Sequence, residues 1–232
     1  MVRISRIVVP DAPHHVTQRG NRNQQVFFSD QDRRNYLNLL HALSVMHDVQ
    51  IWAYCLMTNH VHIIAVPKNK DGFVRCFQEL NQVYARAVNL REGWRGYLWQ
   101  GRFSSFPMDE LHLIAAIRYV ECNPVAAHMV EQAEDYAWSS AKAHVKNIPD
   151  AVLSACYLLD EIKAWALFLR ERDIPFQESM DKVKRTGRPL GSKEFIRQTE
   201  KVLGREIQKK KPGPKGRKPP ALNHPALDLI MG

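Results

Sequence analysis

The chain has 232 residues, of which 45% are hydrophobic and 25% charged, a composition that excludes wholesale disorder. No apolar run approaches the roughly 18–20 residues that cross a bilayer, so we expect no membrane segment. The four cysteines are scattered without a C-x-x-C pair, which indicates reduced thiols and a cytoplasmic protein.

The net charge of +9 is concentrated near the C-terminus. Between Lys182 and Lys218 there are 14 Lys and Arg against three Glu, so the rest of the chain carries a net charge of −2. A basic run is often only a solvated tail, but a basic segment beside a near-neutral core is also typical of proteins that bind a phosphate backbone. Nucleic acid is therefore the expected partner, and we expect a nucleoid-associated protein.

The predicted elements alternate between strands and helices. In chain order they are a strand in "APHHVTQRGN", a helix in "SDQDRRNYLNLLHALSVMHD", a strand over 49–57, a strand in "HVHIIAVP", a helix over 71–91, a strand within "GYLWQGRFSSFPM" and a helix in "DELHLIAAIRYVEC". Ser29 is the expected N-cap of the first helix, with Asp32 three residues further on. The order β-α-β-β-α-β-α predicts an α+β fold, a ferredoxin-like antiparallel sheet with helices on one face.

The C-terminal third is predicted to be mostly helical over 128–172 and then strongly basic, with a further helix over 192–208. The tail contains "KKKPGPKGRKPP", a composition typical of disorder. We therefore expect a core over 1–150, a helical extension over 151–180, a basic helical segment over 181–208 and a disordered basic tail over 209–232.

Two histidines lie one residue apart in the otherwise apolar run "YCLMTNHVHIIAVP". Alternate side chains of a strand share a face, so His60 and His62 are expected to point one way and Val61 the other. Neutral imidazole nitrogens suit divalent first-row metal ions. An H-x-H pair also arises easily by chance among ten histidines, but its apolar flanks and the preceding turn favour a pair of metal ligands.

The helix in "AAIRYVECNPVAA" offers two more polar side chains. Tyr119 and Asn123 are four residues apart, about 40° around a helix, so both could approach the histidines if this helix packs beside their strand. Glu121, about 200° from Tyr119, is expected to face elsewhere. Taken alone, such a tyrosine is more often a core aromatic, and such an asparagine more often a helix end before a proline, here Pro124.

The set of motifs resembles a known family. "NHVHII" followed by "RYVECNPV" resembles the single-tyrosine HUH transposases of bacterial insertion sequences, and "PHHVTQRGN", "GRF" at 101–103 and "TGRPLG" at 186–191 are similar to their REP-associated branch, the RAYT proteins. The resemblance covers residues 12–191. It implies that residues 1–150 are an HUH nuclease core, that Tyr119 is the catalytic nucleophile, and that His60, His62 and Asn123 bind the metal.

The resemblance also implies an activity. The expected function is metal-dependent cleavage and strand transfer of single-stranded DNA at hairpins of the REP type, through a covalent 5′-phosphotyrosine intermediate. Nitrogen and amide-oxygen ligands without a thiolate favour Mg²⁺ or Mn²⁺ as the cofactor. Asn123 stands where many wider relatives have Gln, which bears on the choice of metal. The branch implies a monomer, whereas wider relatives form dimers.

Basic side chains are the expected DNA contacts. Next to Arg102, Phe103 could also stack on bases, although surface arginines and a buried phenylalanine would give the same pattern. The tail motifs resemble AT-hook peptides, but nonspecific backbone binding is the favoured interpretation. The predicted DNA-binding residues are Arg19, Arg22, Arg102, Arg185, Arg188, Lys209, Lys210 and Lys211.

Three other functions fit parts of the sequence. The first is a sequence-specific DNA-binding regulator of the same fold without turnover, which would be expected to have lost the tyrosine or a histidine. The second is a metal-dependent phosphodiesterase that uses water, in which Tyr119 is only a core residue. The third is a structural domain with a basic tail, which the full set of motifs disfavours. A covalent protein–DNA bond separates the transposase from the second alternative.

Overall fold

The protein folds around a four-stranded antiparallel sheet. A computed structural model describes residues 6–156, 161–171 and 186–207. The elements are β1 (His14–Arg19), α1 (Asp30–Met46), β2 (Val49–Leu56), β3 (His60–Pro67), α2 (Lys70–Glu92), β4 (Ser104–Pro107), α3 (Glu110–Glu121), α4 (Asn123–Ala126), α5 (Ala141–Lys146), α6 (Trp165–Arg170) and α7 (Lys193–Leu203). The predicted α+β class and the order β-α-β-β-α-β-α are confirmed.

The strand order in the sheet is β2-β3-β1-β4, so β3 and β1 are central. β1 pairs with β3 from His14 opposite Ala65 to Arg19 opposite His60. β4 pairs with the other edge of β1, from Pro107 opposite His14 to Ser104 opposite Thr17. The sheet edge at which β1 ends is therefore the edge at which β3 and β4 begin.

Helices cover both faces of the sheet, so the prediction of helices on one face was wrong. Val61 and Ile63 of β3 belong to one buried cluster, which includes side chains of α1 and α2 such as Tyr36 and Phe77. Ile64, on the opposite face of β3, belongs to a second cluster that includes side chains of α3, α5 and α6. Helical amphipathicity shows that a helix has a buried side but not which face of the sheet it covers.

Side-chain caps fix where the longer helices begin. Ser29 and Asp32 form the predicted capping box at the start of α1, each accepting from the other's backbone N–H. The side chains of Asn69 and Asp109 accept from backbone N–H groups in the first turns of α2 and α3. α3 ends at Glu121, and a new turn with proline in its first positions follows.

The described part of the C-terminal region is less helical than expected. Between 128 and 171 it contains α5 and α6, each of six residues, and a 3-10 turn at Ala133–Asp135, so the prediction of a mostly helical 128–172 was wrong for these residues. The predicted basic helix is present as α7, which packs with Ile207 against the N-terminal Ile7 and Val9. The proposed division into four segments stays a prediction, and 209–232 lies outside the described residues.

None of the helices in the described part of the chain is long and apolar enough to cross a membrane.

Candidate active site

His60 and His62 share one face of β3, as the strand period predicted. Their ring centroids are 4.8 Å apart and their planes nearly perpendicular. His60 is half-buried at the strand's first residue, whereas His62 is only 3% exposed. Val61, between them, points into the core on the opposite face. The pair therefore lies on the face of the sheet that α3 covers.

A third imidazole, which the sequence interpretation missed, belongs to the same cluster. His15 of β1 stacks on His62 with ring centroids 5.0 Å apart and an interplanar angle of 8°. Its Nε2 lies 2.9 Å from Nδ1 of His62, a hydrogen bond between two buried rings. The sequence contains His15 in "PHHVTQRGN", but only the pairing of β1 with β3 brings it to this position.

α3 brings Tyr119 to the histidines. The Tyr119 ring lies 5.6 Å from that of His62 and 6.1 Å from that of His15, edge-on to both. α3 packs on β2 and β3, the arrangement that the sequence interpretation required. A half-buried tyrosine thus stands beside an imidazole pair at the edge of the sheet where β3 begins.

Asn123 lies one helical turn beyond Tyr119, at the start of α4. Its side-chain Nδ2 donates to the backbone carbonyl of Tyr119 at 2.8 Å. The donation leaves the amide oxygen as the atom that could bind a cation. The structure therefore links Asn123 to the tyrosine segment.

The polar partners of the two β3 histidines suit metal ligation. His60 Nδ1 lies 2.6 Å from Oδ1 of Asn59, which must accept, so the proton is on Nδ1 of His60. His62 uses Nδ1 toward His15. In both rings Nε2 is then the nitrogen that would face a metal ion, because a metal-bound histidine usually donates a hydrogen bond from its other ring nitrogen, which fixes the orientation of the ring.

Among the described residues no thiolate or carboxylate completes this pair. Cys55 lies opposite His62 on β2, but burial raises the pKa of its thiol well above the ordinary value and keeps it neutral. No group of three or more His, Cys, Asp or Glu side chains among the described residues could hold a metal ion. The residues present thus fit a divalent ion that takes two imidazoles and fills its other positions with amide, phosphate or water oxygens.

Glu121 faces away from Tyr119, as the helical geometry predicted, and fixes the end of α3 to the C-terminal helices. It is fully buried. Its Oε1 accepts from Ser140 Oγ and lies 2.5 Å from His144 Nδ1, while its Oε2 accepts from Trp165 Nε1 at 2.8 Å. The position of the tyrosine helix therefore depends on α5 and α6.

The predicted DNA-binding arginines of the core lie near this edge of the sheet. Arg19 is exposed, lies opposite His60 in the β1–β3 ladder and donates to Asn23 Oδ1 at 3.2 Å. Arg22 is exposed in the turn after β1, and Arg102 is exposed just before β4. Phe103, in contrast, is 6% exposed and belongs to the core, so of the two possibilities that the sequence left open, base stacking and burial, burial is the one observed.

The basic C-terminal segment is described only in part. Arg188 is half-buried, and its guanidinium donates to the carbonyl oxygen of Ile207. Leu190, two residues on, forms a parallel bridge with Met108, the residue directly after β4, so this motif lies beside the outer strand of the sheet. The remaining predicted DNA-binding residues, Arg185, Lys209, Lys210 and Lys211, lie outside the described residues.

Comparisons with known proteins match this part of the chain. The family model described as "Transposase IS200 like" matches residues 9–123. That segment begins before β1 and ends at Asn123, so it contains His15, His60, His62 and Tyr119. None of the curated proteins matches the sequence.

Two solved structures are similar to the chain. One is a REP-associated tyrosine transposase bound to a REP hairpin, with a TM-score of 0.54 and 20% identity over 67% of this chain and 93% of that one. The other, a protein of Deinococcus radiodurans R1 described as a transposase, has a TM-score of 0.35 and 19% identity over 52% of this chain and 96% of that one. The first likeness supports the fold.

Proposed function

We propose that this chain, which belongs to the IS200-like transposase family through residues 9–123, cleaves single-stranded DNA beside hairpins and rejoins the ends through a phosphotyrosine. The observation that carries the proposal is the contact between the Tyr119 ring and the His62 ring, 5.6 Å between centroids, on the face that also holds His60. A nucleophile and a candidate metal site thus stand side by side in one chain.

His60 and His62 would hold the metal through Nε2, with the amide oxygen of Asn123 as a third ligand, and Mg²⁺ or Mn²⁺ is the cofactor proposed. Such an ion, when bound, withdraws charge from the phosphate oxygens and so eases attack at phosphorus. His15 and Asn59 orient the two imidazoles through their Nδ1 atoms. These two residues therefore position the ligands and take no part in bond making.

The reaction assigned to Tyr119 is a transesterification. Its phenol oxygen attacks phosphorus, a new P–O bond to tyrosine forms, and the bond to the 3′ oxygen of the preceding nucleotide breaks. The phenol proton leaves to solvent or a base, and the departing 3′ oxygen takes up a proton. The 3′-hydroxyl of another strand reverses these changes, so one ester replaces another and no ATP is consumed.

The surroundings of the cluster support a single-stranded substrate. A nucleophile held on a helix and half-buried between elements reaches the phosphate of a flexible strand more readily than one in a regular duplex. Arg19 is adjacent to His60, and Arg22 and Arg102 are exposed at the same edge, which supports backbone binding. The similar structure was solved with a REP hairpin, and we extend that class of substrate to this chain.

The cluster is formed within one chain, and this supports a monomeric enzyme. Tyr119 contacts His62 and His15 of its own sheet. A second copy is therefore not required to complete the site. We propose that the protein acts in the cytoplasm, at the nucleoid, where the proposed DNA substrate lies.

The direct test uses hairpin DNA with an unpaired flank, labelled in separate reactions at its 5′ or its 3′ end, incubated with the protein and Mn²⁺. On a denaturing gel the 3′ label should migrate with the protein, and the 5′ label should appear on a shorter free strand. Tyr119→Phe, His62→Ala and EDTA should each abolish the adduct. Leu111→Ala, a change at an exposed residue of the same helix, should leave it intact.

Three results would contradict the proposal. Cleavage without an adduct that survives Tyr119→Phe would make water the nucleophile. Retention of the 5′ label would reverse the polarity of the covalent bond. Tight hairpin binding without any cleavage under these conditions would favour a DNA-binding regulator.

A further inference from the structure

The end of α2 and the connection that follows it expose large side chains to solvent. Trp94 is 44% exposed, and Leu90 and Tyr97 are 83% and 87% exposed. Gly93 and Gly96 have positive φ angles, which let the chain turn here, and a Cβ at either position would meet open space; the Trp94 ring contacts only the edge of the Phe28 ring among the aromatic contacts of the described residues. An exposed aromatic pair of this kind requires an explanation, because such rings are normally buried.

A groove of about 620 Å³ follows this surface, and its lining combines an indole ring with two arginines. Gln82, Ala85, Asn89 and Leu90 on α2 form one side, and Arg86, Trp94 and Arg95 contribute the ring and the charge. In the described part of the chain neither Arg86 nor Arg95 forms an ion pair. Both charges therefore remain available to an anion.

Hydrogen bonds hold this surface at the end of the sheet where β3 begins, although α2 itself covers the face opposite the one that holds the histidines. Tyr84 of α2 donates to the carbonyl of Val26 at 2.6 Å, and the N–H of Val26 donates to the carbonyl of Thr58, just before β3. The turns of α2 beyond Tyr84 therefore extend past the start of β3. The returning connection is fixed by a bridge between Gly20 and Trp99.

We infer that this surface, formed by Arg86, Leu90, Trp94, Arg95 and Tyr97 and here called the α2-end surface, binds the unpaired DNA strand that leads to the catalytic cluster. Stacking of bases on Trp94 and Tyr97 with arginines along the backbone is the chemistry by which proteins hold single strands. The inference rests on the proposed function and adds the place where the flank of the hairpin lies.

The charge of the α2-end surface favours a DNA strand over a protein partner. Arg86 and Arg95 have no acidic partner among the described residues, and Arg22 is exposed in the turn after β1 that this connection contacts. The centre of a hydrophobic protein interface carries few charged side chains. A polyanion such as DNA, in contrast, is attracted by positive charge. Stacking also requires unpaired bases, which a hairpin stem does not offer.

Binding is measured by fluorescence anisotropy in the full-length Tyr119→Phe protein with EDTA, so that cleavage cannot contribute. The two probes are one hairpin with a ten-nucleotide unpaired flank and the same hairpin with blunt ends. Trp94→Ala with Tyr97→Ala should weaken binding of the flanked probe at least tenfold and change that of the blunt probe less than twofold. Trp94→Phe with Tyr97→Phe, which keeps both rings, should restore affinity to within about threefold.

The arginines have a matched control on the same helix. Arg75 is exposed, lies eleven residues before Arg86 and so falls within about 20° of it around the helix but about 16 Å away along it. Arg86→Gln and Arg95→Gln should each reduce the slope of log K against log salt by about 0.7, the value for one single-strand phosphate contact. Arg75→Gln should leave the slope unchanged.

The outcomes separate this inference from the proposed function. If the wild type forms the covalent adduct but the alanine variant binds the flanked probe normally, or loses both probes equally, the α2-end surface does not hold the single strand. Self-association that the alanine variant abolishes would make it an interface between copies. If the aromatic rings control flank binding but no adduct forms, the inference about this surface is confirmed and the assignment of Tyr119 as the nucleophile is wrong.

Discussion

His14, the neighbour of His15, is buried in a form that only a neutral ring can adopt. Its Nε2 accepts from the backbone N–H of Val9 at 3.1 Å, so the ring proton is on Nδ1, which donates to the carbonyl of Ala12 at 2.8 Å. Burial lowers the pKa of His14 from 6.5 to about 4, and the bond to Ala12 opposes only part of that shift. Protonation would break the bond from Val9 and charge a buried group.

The protein should therefore lose stability as the pH falls from 6.5 toward 4. Over this range the unfolded chain binds a proton at His14 that the folded chain does not, so stability is fully present above pH 6.5 and declines below it. The contribution of His14 amounts to about 2 kcal/mol between pH 7 and pH 5. Urea denaturation at both values should show that His14→Gln, which can make both hydrogen bonds but does not titrate, loses about 2 kcal/mol less than the wild type. Equal losses would contradict the assignment.

The residues of the site differ in how far the sequence could predict them. His60 and His62 share a face because the strand period is local, and Tyr119 and Glu121 point in different directions because the helical period is local. The place of His15 depends on which strand pairs with β3 and in which register, and neither is local. Phe103 illustrates the same limit, because its sequence context fitted both base stacking and burial, and only the fold decides that it is buried.

At the scale of elements, the buried carboxylate of Glu121 fixes the helix that carries Tyr119. Glu121→Ala should lower the free energy of unfolding by about 3 kcal/mol or more, because it leaves the donors of His144 and Trp165 unpaired in the interior and removes the shorter of the two bonds that Ser140 donates. It should also slow adduct formation, since the end of α3 loses its contact with α5 and α6. Chemical denaturation and single-turnover cleavage measure the two effects.

Leu111→Ala is the control for this prediction, because Leu111 is on the same helix but 83% exposed. It should change neither the stability nor the rate. A Glu121→Ala protein with unaltered stability would show that the buried hydrogen bonds do not hold the helix.

The order and class of the elements were predictable, but their assembly was less so. Apolar periodicity and the capping box at Ser29 located the strands and α1 closely. The same patterns placed all helices on one face, because amphipathicity does not encode which face a helix covers. They also overestimated the helices after residue 128, where buried apolar side chains belong to short turns and irregular chain instead.

At the scale of the whole molecule, a site formed within one chain makes a prediction about mixtures. Tyr119→Phe and His62→Ala proteins should each be inactive, and their equimolar mixture should be inactive as well, because Tyr119 contacts the histidines of its own chain. Adduct formation on hairpin DNA measures this. Recovery of activity on mixing would mean that the tyrosine helix serves a partner's histidines in a dimer.

The C-terminal tail should add affinity without taking part in the chemistry. Residues 209–232 contain six Lys and Arg against one Asp, and a basic tail releases counterions from DNA when it binds. A chain that ends at residue 208 should bind hairpin DNA more weakly and with a shallower salt dependence, while still forming the adduct at saturating DNA. Unchanged affinity at low salt would contradict a role for the tail in DNA binding.

Mass spectrometry of the isolated adduct, after digestion with nuclease and trypsin, identifies the residue that forms the covalent bond to DNA. We expect a nucleotide joined through its 5′ phosphate to Tyr119, in the peptide that spans residues 119–142. That peptide also contains Tyr136, whose hydroxyl donates to the carbonyl of Leu56 in the interior, and fragment ions distinguish the two tyrosines. A nucleotide on any other residue, or cleaved DNA without a modified peptide, would show that Tyr119 is not the nucleophile.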